Sequence, residues 1–76
     1  MKWLIPNIDE IPDIRIGDLI LCEYLDRGFF LFKFKSIRPG REGFYVDNPN
    51  NWEKGGTMVD FTDEKNCPFR YLIIPV

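Results

Sequence analysis

Residues 29–35, FFLFKFK, alternate aromatic side chains with lysines in the most basic part of the chain. Residues 27–41 contain five basic side chains and no acidic one, whereas residues 1–26 and 42–76 carry net charges of −4 and −3. The five are Arg27, Lys33, Lys35, Arg38 and Arg41. A basic strand with Phe29 or Phe44 beside it is typical of surfaces that contact phosphates and stack bases. The opposing interpretation is a solvated outer face, which the acidic net charge of −2 favours.

A second candidate is the loop of residues 47–56, DNPNNWEKGG, which places Trp52 among polar residues and glycines. Such a Trp either folds back over the end of a small barrel or anchors a protein partner, and both alternatives stay open. The oxygen-bearing side chains of the loop also suggest a calcium site. Pro49 stands where a third-position ligand is needed and no glycine occupies the sixth position, so the EF-hand spacing fails.

The composition lacks side chains that most catalytic mechanisms use. The chain has no histidine, so the commonest general base and the commonest metal ligand are both missing. Its one serine, Ser36, lacks an imidazole partner, and its carboxylates are scattered. We therefore expect a protein that is not an enzyme and that uses no cofactor or metal.

The two cysteines, Cys22 and Cys67, fit neither a disulfide framework nor a metal-ligand spacing. Two reduced thiols are the simpler expectation. No charged segment leads into an apolar stretch long enough for a signal peptide or a membrane span. We expect a cytoplasmic protein that does not associate with membranes.

Turn residues divide the chain into short strand-forming runs without a convincing helix. We predict an irregular N-terminal wrap over residues 1–17, with a short edge strand at 3–5 that ends at Pro6. Isoleucines should pin this wrap to the rest of the domain: Ile8, Ile11, Ile14 and Ile16. Further strands are predicted at 18–25, 29–37, 44–47, 57–62 and 70–75. One domain, residues 1–76, with five or six such strands indicates an all-β fold, namely a small SH3-like barrel or roll, with an OB-like barrel as the alternative.

The strands at 18–25 and 29–37 form a hairpin whose predicted loop is residues 26–28, with Gly28 in a left-handed conformation. This loop puts Leu25 opposite Phe29, so that one face of the hairpin is wholly apolar and is predicted to line the core. That face comprises Ile20, Cys22, Tyr24, Phe30, Phe32 and Phe34.

The other face of the hairpin mixes charged and apolar side chains. Its members are Leu19, Leu21, Glu23, Leu25, Phe29, Leu31, Lys33 and Lys35. Because this face is more apolar than an exposed sheet should be, either residues 1–17 or another subunit of a homo-oligomer is expected to cover it.

These features favour a non-catalytic binding protein over an enzyme. The leading hypothesis is a β-barrel that engages another protein through Trp52, through the basic hairpin 27–41 or through an exposed edge, as an inhibitor or adaptor. By analogy with other small stand-alone domains, a phage or mobile element is the expected source. The alternative is single-stranded nucleic-acid binding through the basic hairpin. Small-molecule binding in the barrel mouth would need a cavity that so small a barrel normally fills with side chains.

Overall fold

The computed structural model describes residues 2–47 and 57–76. Five antiparallel strands form one sheet in these residues: β1 (Leu19–Tyr24), β2 (Gly28–Ile37), β3 (Gly43–Asp47), β4 (Thr57–Asp60) and β5 (Arg70–Ile74). The order across the sheet is β4-β3-β2-β1-β5, so a four-strand meander is followed by a strand that returns to β1. The all-β prediction is confirmed.

The predicted closure into a barrel is wrong for the described strands. Strand β4 pairs with β3, and β5 pairs with β1 and, at one residue, with the N-terminal segment. That single bridge replaces the predicted strand at 3–5: the N–H of Leu4 donates to the carbonyl of Tyr71 at 2.7 Å, and the N–H of Tyr71 returns the bond at 2.9 Å. The ladder stops there because the next donor position is Pro6, which has no N–H group.

Helical structure in residues 2–47 and 57–76 is confined to the 3-10 turn Pro39–Arg41 between β2 and β3. The turn uses two residues of positive φ, Gly40 at 72° and Arg41 at 59°. No helix in this part of the chain is long and apolar enough to cross a membrane.

The β1–β2 hairpin turns one residue earlier than predicted. Its loop is residues 25–27, and Gly28, with φ of 84°, is the first residue of β2 and pairs with Tyr24. The predicted register is therefore wrong by two residues, because Cys22 lies opposite Phe30 instead of Phe32. A shift of two residues preserves the alternation of side chains, so each strand residue stays on its predicted face. Leu25 is the exception: it was predicted on the outer face and lies in the loop.

Strand β2 bends in its second half, where Lys35 forms a β-bulge. Phe34 pairs with Val46 and Ser36 pairs with Tyr45, which leaves Lys35 without an opposing residue on β3. A bulge increases the local twist of the strand that contains it. The ten-residue β2 can therefore follow the curve of the sheet around the core.

The core lies on the concave side of this curved sheet. Its buried members are Ile20, Cys22, Tyr24, Phe32, Phe34, Phe44, Val46, Val59 and Tyr71. Phe44 is at its centre and meets the rings of Phe34, Phe61 and Tyr71 edge-to-face, with centroids 5.2–5.7 Å apart. Such pairs each contribute about 0.5–1.5 kcal/mol beyond the area that they bury.

The prediction that Phe30 is buried is wrong, since this side chain is 41% exposed. Phe30 does lie on the core side of the sheet, where it stacks on Phe32 and meets the edge of Tyr24. It stands near the hairpin end of β2, however, beyond the fully buried part of the core. Strand alternation determines the face of a residue but not how far the core extends along that face.

The N-terminal segment contacts both the core and the opposite side of the sheet. Ile11 and Ile14 pack against the core, as predicted, whereas Ile8 and Ile16 are largely exposed. The segment ends at Asp18, a buried carboxylate whose oxygens accept hydrogen bonds from the backbone N–H groups of Arg15 at 2.9 Å and Val76 at 3.4 Å. Asp18 thus fastens the end of the chain to the start of β1.

Candidate functional site

The most distinctive surface lies on the convex side of the sheet, where β1, β2 and β5 are neighbours. The strand registers place six apolar side chains there, three of them in one row across the strands. We call this set the outer apolar face: Leu19, Leu21, Phe29, Leu31, Leu72 and Ile74. Phe29 is 57% exposed and Leu31 is 40% exposed, while the other four are half-buried. The solvent side of an antiparallel sheet is normally polar, so this composition is unusual.

An ion pair and a tryptophan border one end of the outer apolar face. Arg70 on β5 lies opposite Glu23 on β1, and its Nε donates to Glu23 Oε1 at 2.5 Å. The Arg70 guanidinium also lies 4.1 Å from the centre of the Trp3 ring, a cation–π arrangement. Trp3 in turn approaches Phe29, with ring centroids 6.3 Å apart. The N-terminal segment therefore covers one corner of the face and leaves Phe29 and Leu31 substantially accessible.

Lysines border the other end. Lys33 lies beside Leu19 and makes no ion pair with any residue in the described part of the chain. Lys35, which the bulge leaves unopposed, approaches Asp47 on β3 at 3.7 Å. Both partners of that pair are about half exposed, so the contact contributes little to stability. Asp47 also lies directly opposite Lys33 across the β2–β3 pair, so this carboxylate neighbours both lysines, although only Lys35 is within ion-pair distance of it.

The structure places Arg38, another predicted contact residue, within a network at the β2–β3 turn. Its guanidinium reaches Asp60 at 3.0 Å and Glu42 at 3.8 Å. Desolvation alone would lower the pKa of Arg38, but the charge of Asp60 and the hydrogen bonds that Arg38 donates to Asp60 and Tyr45 outweigh that effect and raise it. Hydrogen bonds from the backbone and hydroxyl of Thr62, aided by Arg38, hold the pKa of Asp60 below its usual value. Arg38 therefore links the turn to β4.

The remaining two arginines lie at opposite ends of β2. Arg27, in the hairpin loop, lies 4.4 Å from the centre of the Tyr24 ring and donates from Nη2 to the carbonyl of Lys65 at 2.7 Å. Arg41 is exposed in the β2–β3 turn. Ten residues of strand at about 3.3 Å each separate the two ends by roughly 30 Å. The five basic residues therefore form a row along β2 and its turns, not a single patch.

A cleft of about 690 Å³ lies at the hairpin end, between the hairpin loop and the segment that precedes β5. Leu25, Cys67 and Phe69 form its apolar part, and Arg27 crosses it. Both cysteines of the chain are free thiols. Burial raises the pKa of the Cys22 thiol to about 12, and burial likewise raises the pKa of Cys67. In the part of the chain that the structure describes, no three acidic or cysteine side chains are grouped so that they could hold a metal ion.

Trp52 and the rest of residues 48–56, which suggested a calcium site, lie outside the described residues, whereas Asp47 ends β3. The structure adds residues that the sequence did not single out, namely Trp3, Tyr45, Leu72 and Ile74. Tyr45 is exposed on the convex side of β3 opposite Ser36. The alternation of RYLII in β5 is the signal that could have identified Leu72 and Ile74, because these two residues share a face with Arg70.

Comparison with known proteins adds no family assignment. No protein-family model, curated protein or solved structure matches the chain. What the protein does must accordingly be inferred from its own side chains, above all those of the outer apolar face.

Proposed function

We propose that this protein is a non-catalytic binding domain that docks another protein on its outer apolar face. The observation that supports the proposal is the row Leu31, Leu21 and Leu72, which runs across three adjacent strands on the side of the sheet away from the core. A small sheet protein needs one apolar face to fold. A second apolar face on the same strands has no role in that core, and contiguous exposed apolar surface commonly marks an interaction site.

The exposed fractions indicate which side chains would contribute most to the free energy of binding a partner. Burying the accessible parts of Phe29 and Leu31 would contribute on the order of 1 kcal/mol each. The two residues are neighbours on the same side of β2. Leu31 lies in the middle of the face and Phe29 lies at one end. We therefore take them as the centre of the docking surface, with the Glu23–Arg70 pair and Lys33 as its polar rim.

The rim also defines the chemistry of the partner. Lys33 makes no ion pair among the described residues, although Asp47 lies opposite it on β3, so a carboxylate of the partner at the matching position would pair with it. The partner surface is thus expected to be apolar at its centre with an acidic group at one end. Charge at such a rim mainly determines specificity and association rate, while the apolar centre supplies most of the affinity.

Three further assignments belong to the proposal. An SH3-like roll, with an OB-like one as the alternative, is supported by the return of β5 to β1 and by the bend in β2 at its bulge. A role as an inhibitor or adaptor of a larger assembly would suit a domain that offers a surface and no catalytic histidine. A cytoplasmic location is consistent with free thiols at Cys22 and Cys67.

The test is affinity purification from native cells with matched variants, followed by mass spectrometry. Leu31→Asp and Lys33→Glu change the outer apolar face, whereas Leu25→Asp makes the same leucine-to-aspartate change at a hairpin position that is 80% exposed. We expect a co-purifying protein that is lost with Leu31→Asp, reduced with Lys33→Glu and kept with Leu25→Asp. A set of bound proteins that is the same for all three variants would contradict the proposal.

Single-stranded nucleic acid is a second candidate, because exposed Phe29 and Tyr45 lie on the same side of the sheet as Lys33 and Lys35. Local acids weigh against it, since Arg27, Lys35 and Arg38 each have an acidic neighbour within 4 Å. The measurement is fluorescence anisotropy with a labelled mixed-sequence oligonucleotide at low salt. Binding that falls steeply with salt and weakens in Lys33→Glu would favour this candidate, and absence of binding would eliminate it.

A further inference from the structure

We propose that residues 2–5 form a strap that closes over the Phe29 end of the outer apolar face and opens while the sheet stays folded. Its consequence for docking rests on the proposed function, because the closed strap covers one corner of that face. The opening itself is a property of this chain alone. It is inferred from how few contacts hold the strap and from where those contacts lie.

One backbone bridge joins the strap to the sheet. Leu4 and Tyr71 exchange hydrogen bonds of 2.7 and 2.9 Å, and in the described part of the chain no other backbone hydrogen bond links residues 2–5 to a strand. Pro6 has no N–H group, so the bridge does not extend into the rest of the N-terminal segment. Segments held by few hydrogen bonds and few buried contacts open locally at a lower free energy than the strands of a sheet. We therefore expect the strap to open before the strands do.

Two side chains anchor the strap, one on each side of β5. Leu4 is half-buried and packs against the core. Trp3 lies on the opposite side, where the centre of its ring is 4.1 Å from the guanidinium carbon of Arg70. The neighbouring strap residues add little, since Lys2 is exposed and Ile5 is 68% exposed. The strap opens when Trp3 and Leu4 leave these positions.

Arg70 holds the strap at its Trp3 end. The Nε of Arg70 donates to Glu23 Oε1 at 2.5 Å, and the same guanidinium lies against the Trp3 ring. The ion pair with Glu23 thus fixes the group on which Trp3 rests. A planar guanidinium stacks on an aromatic ring, whereas the compact ammonium group of lysine does not. Arg70→Lys therefore keeps the positive charge beside Glu23 and removes the stacked group.

Opening of the strap changes the surface in two ways. It withdraws the Trp3 ring, whose centroid is 6.3 Å from that of Phe29, and so exposes more of Phe29 than the 57% that is accessible under the closed strap. It also frees the N–H and C=O groups of Tyr71 on the outer edge of β5. A protein that docks over Phe29 competes with Trp3 for this corner. Such a partner binds the open form better and shifts the strap toward it.

Hydrogen–deuterium exchange of the purified full chain, followed for each amide by NMR, tests the opening. The reference is the Phe34 amide, which donates to the carbonyl of Asp18 at 2.8 Å in the middle of the sheet. After correction for intrinsic rates, we expect the Leu4 and Tyr71 amides to exchange at least about tenfold faster than this reference.

Matched variants test the contact with Arg70. Trp3→Ala and Arg70→Lys should each speed exchange of the Leu4 amide by about two- to fivefold, which corresponds to the loss of one exposed cation–π contact. Lys2→Ala is the control within the strap, because Lys2 is exposed. It should leave the exchange rate of Leu4 unchanged.

A Leu4 amide that exchanges as slowly as the Phe34 amide would overturn the inference, because the strap would then open only when the whole sheet unfolds. Exchange that Trp3→Ala and Arg70→Lys leave unchanged, or that Lys2→Ala speeds equally, would overturn it as well.

Co-purification from native cells gives the functional readout. Trp3→Ala should increase recovery of the bound protein, since its competitor at Phe29 is removed, and recovery that is unchanged or lower would overturn the competition. The two proposals fail separately. Exchange rates need no partner, so they can reject the strap while docking stands, whereas a bound set that Leu31→Asp leaves unchanged rejects docking and not the opening of the strap.

Discussion

Replacement of Gly43 by alanine tests the packing of β3 against β4, on which the position of Phe44 depends. Gly43 opens β3 with φ of 139°, in a region that side chains with a Cβ rarely adopt. A Cβ built there would lie 2.9 Å from the carbonyl carbon of Val59 and 3.2 Å from the Cα of Asp60, and closer still to the Val59 carbonyl oxygen. These atoms belong to the backbone of β4, so no side-chain rotation relieves the overlap.

The expected loss of stability in Gly43→Ala is the sum of two effects. The backbone conformation alone costs a residue other than glycine about 1–3 kcal/mol. Forcing β3 and β4 apart adds about 1–3 kcal/mol of overpacking, because Phe44 and Val59 lie next to the overlap and are both fully buried. A domain of this size has roughly 4–11 kcal/mol of stability in total. Gly43→Ala should therefore remove a large part of it, about 2–6 kcal/mol.

Gly28→Ala is the matched control. Gly28 also has positive φ, at 84°, but nothing lies within 4 Å of the position that its Cβ would take. Its replacement should cost only about 1–2 kcal/mol. Urea unfolding followed by circular dichroism gives both values, and each 1 kcal/mol corresponds to about 4–8 °C in the melting temperature. The reasoning is refuted if Gly43→Ala loses no more stability than Gly28→Ala.

Three further outcomes follow from buried polar groups. Asp18→Ala should lower the free energy of unfolding by about 1–3 kcal/mol, because the N–H groups of Arg15 and Val76 lose their acceptor; an unchanged urea midpoint would contradict this. Stability should fall as pH rises above about 9, since folding raises the Cys22 pKa from 9.0 to about 12 and so disfavours the thiolate. Urea midpoints at pH 7.5 and about 10 should show this loss in the wild type and less of it in Cys22→Ala. Tyr71→Phe should leave stability unchanged or raise it by up to about 1 kcal/mol, because the buried Tyr71 hydroxyl has no hydrogen-bond partner among the described residues; a loss of 2 kcal/mol or more in thermal unfolding would show that the hydroxyl is bonded.

Strand alternation and turn chemistry predicted much of this sheet from the sequence. Gly28 does adopt positive φ at the start of β2, and Phe32 and Phe34 do face the core opposite β1. The loop boundary was displaced by one residue and the register by two, because Gly28 belongs to the strand and not to the loop. Alternation depends only on whether a shift is even or odd, which is why the faces were correct despite the wrong register.

Features that depend on distant parts of the chain could not be read from local patterns. No glycine or proline marks the bulge at Lys35, which lies just beyond Lys33, the last residue of β2 that pairs with β1. The exposure of Phe30 reflects where the core ends. Strand propensity likewise gives no indication that β4 and β5 remain unpaired with each other.

The candidate site was only partly visible in the sequence. The sequence predicted that residues 1–17 or another subunit would cover the apolar outer face of the hairpin, and the structure places Trp3 over one corner of it. The contribution of Leu72 from β5 depends on the pairing of β5 with β1, which lie about 50 residues apart in the chain. Arg38 was predicted as a contact residue, but it forms an ion pair with Asp60, which is remote in sequence. Local patterns could not show that this arginine is already paired.

The measurement that most directly tests docking on the outer apolar face is site-specific photo-crosslinking in cells of the native host. A diazirine amino acid replaces Leu31 in one variant and Leu25 in a control, since both side chains are exposed but only Leu31 lies on the face. We predict a covalent adduct with another protein from position 31, weakened by Lys33→Glu and absent from position 25. Equal adducts from both positions, or none from position 31, would contradict the proposed docking surface.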